Sequence, residues 1–196
     1  MFVEYIKQGL KVFTLDKKVI KKVSKDTNAT KMGVIFLLLA GVASAIGGIL
    51  STWLLGDLFG IGPNYSSLIT MPLVMLVGSA FAIVIIHGLA RIFGGKATYS
   101  ELFRVLSLTS VVFWITIIPQ VGGFIAFLAM LWGIVVGIIS VSNVYNLSTG
   151  KAVAVILIPL VIAGILFVVV GLTILAYFMS LAGTQGLPTG LENLPY

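Results

Sequence analysis

Four stretches of this sequence, Met32 to Gly56, Leu58 to Ala90, Val105 to Gly150 and Ala152 to Leu191, contain no Asp, Glu, Lys or Arg. A helix crosses a bilayer with about 20 mostly apolar residues, so each stretch is long enough for at least one span. A soluble fold is excluded on the same grounds. Hydrophobic residues make up 59% of the chain and charged residues 9%, whereas a soluble domain carries about a quarter charged. The sequence predicts an all-α integral membrane protein.

Helix breakers divide the long runs. Gly60, Gly62, Pro63, Asn64, Ser66 and Ser67 separate the first two, Pro119-Gln120-Val121-Gly122-Gly123 interrupts the third, and Asn143 to Thr149 precedes the last. The expected architecture is a five-transmembrane-helix bundle with an N-terminal amphipathic interfacial helix. Residues 1–31 form a basic arm, 32–180 the membrane domain and 181–196 an external tail. The spans are expected near 32–55, 68–90, 102–118, 121–142 and 152–180.

Five crossings place residues 1–31, the loop near 91–104 and the loop near 143–151 on one face. All 12 Lys and Arg of the chain fall there. The other loops and the tail have none, so the positive-inside rule predicts a cytoplasmic N-terminus and an external C-terminus. Uncharged loops do not prove that a hairpin crosses, however. The third and fourth helices meet at a tight turn, and a wedge entering and leaving on the basic side has the same charge pattern. A cleaved signal peptide is not expected, because the first apolar run starts at Met32, is too long and lacks a small-x-small cleavage site. Cysteine is absent, which excludes disulfides and thiolate chemistry.

In the arm, Phe2, Ile6, Leu10, Phe13, Ile20 and Val23 recur at helical spacing among lysines, as in a helix lying on a membrane surface. Lys7, Lys11, Lys17, Lys18, Lys21, Lys22, Lys25 and Lys31 outnumber Glu4, Asp16 and Asp26, giving the arm a net charge of +5. Anionic lipid headgroups attract such a segment by about 1 kcal/mol per basic residue near the surface. The bilayer and its anionic headgroups are therefore the expected partner, with an acidic cytosolic protein as the alternative. Nucleic acid is not expected, since no base-stacking aromatics are interleaved with the lysines.

No Asp, Glu, Lys or Arg lies in the middle of a span, which disfavours proton-coupled transport. Polar candidates inside the membrane are His87, the only histidine, and Ser107, Thr109, Ser110 and Thr116 of the third helix. Helix-to-helix contact is the plainer reading of these residues, and a substrate path the sharper one. Small residues at four-residue spacing, Gly41 with Ala45, Ser44 with Gly48, and Ala129 with Gly133 and Gly137, permit close helix approach within the bundle or in a homo-oligomer. Pro159 predicts a kink in the last helix.

Enzymatic patterns fail. Ser148-Thr149-Gly150-Lys151 resembles the end of a P-loop, but Tyr145 stands where its first glycine belongs and Ala152 where Ser or Thr would bind magnesium. One histidine and sparse carboxylates support neither a metal site nor acid–base catalysis, and no cofactor is expected. Asp57 and Glu192 are the only acids expected on the outer face. Three sequons begin at Asn28, Asn64 and Asn146, and the expected topology exposes only Asn64 to glycosylation.

The stretch HGLARIFGGKATYSELFRVLSLTS, the IIPQVGG turn and SVSNVYNLSTGKAVAVILI together resemble the Yip domain family of Rab-GTPase-interacting membrane proteins, particularly its prokaryotic branch. The resemblance runs from about Lys31 to Leu175. It concentrates at Gly94-Gly95-Lys96 with Arg104, and at Leu147 to Ala152. It implies five transmembrane helices and a cytoplasmic N-terminus. It implies no catalytic signature, and the short lysine-rich arm departs from the eukaryotic pattern linked to GTPases. The expected function is a non-enzymatic protein of the cell membrane that organises membrane or recruits partners from its cytoplasmic face. Gly94, Gly95 and Gly150 are expected to turn the backbone there, and Lys96, Arg104 and Lys151 to meet lipid phosphates or the arm's own carboxylates. A small channel or transporter is the rival.

Overall fold

A computed structural model describes residues 1–60 and 62–184. Residues 185–196, which hold Glu192 and most of the expected external tail, lie outside the described residues, as does the side chain of Asp57. The described chain is helical throughout, with no strand among the described residues: α1 (Phe2–Phe13), α2 (Lys17–Lys25), α3 (Asn28–Phe59), α4 (Ser67–Ile92), α5 (Tyr99–Leu108), a 3-10 helix (Thr109–Ile117), α6 (Val121–Tyr145) and α7 (Thr149–Thr184). Five segments are long and apolar enough to cross a membrane: Asn28–Gly56, Ser67–Ile92, Tyr99–Ile117, Val121–Tyr145 and Thr149–Ser180. The chain divides into two compact units, Met1–Ile156 and Leu157–Tyr196. In the second unit, α7 continues through Pro159 and exposes apolar side chains such as Phe167, Leu172 and Phe178.

Local chemistry sets the helix ends. Asp16 caps α2 by accepting from the backbone N–H groups of Lys18 at 3.0 Å and Val19 at 3.2 Å. Thr98 and Glu101 form a reciprocal capping box that starts α5 at Tyr99, three residues before the start expected from hydropathy. Gly94, at φ 93°, ends α4 in a left-handed turn, and the Gly95 N–H reaches the Ala90 carbonyl at 2.8 Å. Asn146, at φ 54°, makes the equivalent turn after α6, where the Leu147 N–H donates to the Ser142 carbonyl at 3.1 Å.

Two expectations are corrected. The arm is two helices and not one: Leu15, at φ 67°, breaks it, and both pieces pack on the protein. Its buried side chains include Tyr5, Gln8, Val12, Ile20 and Val23, whereas Phe2 and Leu10 are exposed. Nor is the third span one α-helix. It tightens to 3-10 geometry at Thr109, where TSVVFWITI is rich in β-branched residues, which lose χ1 freedom against the preceding turn. Hydroxyls there also bond to their own backbone, which competes with the regular ladder.

The core of the first unit sits at its basic end. Ile20, Val23, Phe36, Leu102, Val105, Leu108, Val141 and Tyr145 are nearly or fully buried in a single cluster. By contrast, Leu68, Leu73 and Phe81 on α4 and Phe124, Phe127 and Leu131 on α6 are exposed. Close approaches at glycines hold the unit together. A Cβ at Gly33 would overlap the Ser107 side chain, at Gly41 the backbone of Pro72, and at Gly47 the Thr116 carbonyl. Of the small residues singled out in the sequence, Gly41 is such a contact and Gly137 lies against Ile156, while Gly48 and Gly133 face open space.

Candidate functional site

Seven of the arm's eight lysines lie on its two short helices. Lys7 and Lys11 on α1 and Lys17, Lys18, Lys21, Lys22 and Lys25 on α2 are all exposed, because the opposite faces of both helices are packed on α5, the 3-10 helix and α6. Lys25 forms the one ion pair found among the described residues, with Glu101. That carboxylate also accepts from the Thr98 N–H at 2.9 Å, so one acid both caps α5 and ties it to the arm.

Arg104 is taken up differently from the sequence expectation. Its guanidinium donates to the Ser24 carbonyl and to the Thr30 hydroxyl, each at 2.9 Å, and thereby pins the α2–α3 junction. The arm's carboxylates are occupied elsewhere. Asp16 caps α2, Glu4 accepts from Gln8, and Asp26 accepts from the Tyr5 hydroxyl at 2.7 Å and the Asn28 N–H at 3.0 Å. Burial, together with the neighbouring Asp26 carboxylate, pushes the Tyr5 phenol up to about 12.

The two loop motifs meet around Tyr145. Its hydroxyl lies 2.5 Å from His87 Nδ1, and its ring lies so close to Gly95 that a Cβ there would sit 2.6 Å from Cδ1. The Gly-Gly pair thus has two separate uses: Gly94 supplies the left-handed turn and Gly95 makes room for the ring. Lys96 is exposed, and Lys151 donates to the Phe93 carbonyl at 3.2 Å. Gly150 does not make a turn. It lies in the first turn of α7 facing open space, and Asn146 reverses the chain instead.

The hydroxyls of the third span bond inward along their own helix. Ser107 donates to Phe103 at 2.5 Å, Thr109 to Leu106 at 2.7 Å, Ser110 to Ser107 at 2.7 Å and Thr116 to Phe113 at 2.7 Å. Thr116 also meets Ser44 of α3 at 3.0 Å. No group of three His, Cys, Asp or Glu suited to a metal occurs among the described residues. In the loop after α3, the Asn64 side chain accepts from the Ser66 N–H and hydroxyl, and all three sequon residues are exposed.

Sequence reasoning missed two contacts between the arm and the bundle. The Trp132 indole donates to the Phe13 carbonyl at 2.9 Å, and Trp114 stacks on Phe2 while donating to the Phe36 carbonyl at 3.3 Å. The three tryptophans were visible in the composition, but nothing in their spacing marks them as arm contacts.

A helical multipass membrane protein with a docked basic arm is the class these observations define. The chain belongs to the Yip1 domain family, whose profile it matches over residues 11–172. Comparisons with curated proteins and with solved structures return no match.

Proposed function

We propose that this chain is a non-enzymatic member of its family that organises membrane, or recruits partners to it, from the face that carries its lysines. That face is cytoplasmic by the positive-inside rule, in the cell membrane of a prokaryote. The carrying observation is the outward display of seven arm lysines on helices whose opposite faces are packed on the protein. Docking holds these charges in a fixed array without spending them on internal carboxylates, Lys25 excepted. Anionic headgroups are the ligand such an array suits, each lysine adding about 1 kcal/mol near a charged surface.

The test uses the full chain in nanodiscs containing phosphatidylcholine and phosphatidylglycerol, with retained lipids identified by native mass spectrometry. Phosphatidylglycerol should be enriched on the native chain and should fall toward the bulk ratio when Lys17, Lys18, Lys21 and Lys22 are all replaced by Gln. Equal retention by both proteins would sink the headgroup reading.

A further inference from the structure

We infer that the arm lines a one-sided notch in the bilayer: along the flank where α1 lies, headgroups and water of the arm-side leaflet reach about half way into the membrane, while the flank formed by α4 stays among acyl chains. The question here is how deep headgroups are held, not which ones.

Contacts within the first unit serve as rulers. Gly41 of α3 packs on Pro72 of the consecutive, antiparallel α4. Further along α3, Gly47 packs on the Thr116 carbonyl, and Gly122 packs on the Ile115 carbonyl. The turn at Pro119-Gln120 and the start of α4 at Ser67 therefore share one rim. Both ends of α1 stand well above it. Phe2 meets Phe36, with ring centroids 5.4 Å apart, and Phe36 lies about 16 Å from Gly47 along α3. The Phe13 carbonyl meets Trp132, which lies about 15 Å from Gly122 along α6. Above α1, α6 continues about 20 Å to Tyr145, and α4 about 22 Å from Val77, the residue level with Phe36, to Ile92. So α1 crosses the membrane domain at mid-height.

At that height the flanks differ. On α4, Val74, Val77, Phe81 and Val84 are exposed, an apolar surface that continues below and above the level of α1. On α1, Glu4, Lys7 and Lys11 are exposed. Charges are expensive among acyl chains, whereas water and zwitterionic headgroups solvate both signs. The two helices present different flanks, because α1 packs mainly on the 3-10 helix, α5 and α6, and α4 mainly on α3. A bilayer flat around the molecule leaves either the α1 charges in hydrocarbon or the upper half of the α4 surface in water. A notch confined to the arm's flank avoids both.

The arm gives the notch its wall. Lys25 meets Glu101 in the first turn of α5, and Gly9 packs at Leu108, about 10 Å lower along the same helix. Between these points α2 exposes Lys17, Lys18, Lys21 and Lys22. The lysines thus descend from the arm-side surface to mid-height, and each step attracts lipid phosphate. Below α1 the exposed side chains of the hairpin, Val121, Phe124, Phe127 and Leu128, are apolar, so the notch ends there and does not cross.

The chain has no cysteine, so single-cysteine variants of the full chain can map this directly. Lys7→Cys and Lys11→Cys on one flank, Val77→Cys and Phe81→Cys on the other, and Lys22→Cys as the surface control would be reconstituted in phosphatidylcholine vesicles and treated with a membrane-impermeant maleimide. Lys7→Cys and Lys11→Cys should react at a rate comparable to Lys22→Cys. Val77→Cys and Phe81→Cys should react at least roughly tenfold more slowly, as thiols in apolar surroundings do. A bimane at position 11 should be quenched more by a nitroxide on the lipid headgroup than by one at the chain end, and a bimane at position 77 the reverse. Slow labelling at position 7 or 11, labelling at 77 and 81 as fast as at 7, or stronger chain-end quenching at 11 would overturn the inference. Because the vesicles contain no anionic lipid, this readout fails or holds separately from phosphatidylglycerol enrichment.

Discussion

Leu102 and Leu108 are fully buried, whereas Leu128 and Leu131, in the same unit of the molecule, are about half exposed. Hydropathy treats these four alike. The difference is what covers them, α3 on one side and the arm on the other. Where α1 and α2 cover α5 and α6, apolar side chains meet protein and form a dense core; where the arm ends, the same side chains are left for lipid. A membrane protein's stability is thus concentrated where helices pack, because lipid tails are as apolar as leucine and reward burial little.

Leu102→Ala and Leu128→Ala test this contrast most strongly. The first should cost about 2–5 kcal/mol through lost packing and a cavity. The second should fall within about 0.5 kcal/mol of the native chain, as substitutions away from packed features do. Thermal unfolding in one detergent measures both, and comparable losses would break the comparison.

Arg104→Ala should have the next largest effect, about 1.5–3 kcal/mol for its charge-assisted hydrogen bonds taken together. The loss should be local. Amide exchange in α2 should accelerate while exchange in the exposed half of α6 does not change, which separates loosening of the arm from general unfolding.

The smallest effect is expected from pH. The Tyr5 phenol is raised from 10.0 to about 12, so the folded arm favours the protonated form. Its contribution is complete below pH 10 and is lost as pH rises toward 12. Exchange in α1 should therefore stay constant from neutral pH to about 10 after correction for intrinsic rates, then rise, and Tyr5→Phe should remove that step.

The five apolar segments were legible because charge-free length is a one-dimensional property. The arm's two-helix break was not, since it depends on Leu15 adopting a left-handed conformation that leucine rarely takes, although Asp16 before a helical run was a readable cap. The early start of α5 was also readable from Thr98-x-x-Glu101. The register of Gly33 and Gly47 against the third span was not legible, because it is decided by which residue faces the glycine, a property of two helices together. At the candidate site the lysines were visible one by one, but Arg104 was assigned to phosphates or carboxylates when its actual partners are a carbonyl and a hydroxyl. Such neutral acceptors leave no mark in charge patterning.

The two indoles against the arm give the molecule an optical handle. Trp114 and Trp132 both lose a neighbour if α1 lifts away, whereas Trp53, exposed near the far end of α3, does not. Emission from a chain retaining only Trp132 would follow the arm's departure and return in real time, without any added dye, and would turn the arm's position from a static feature into a rate.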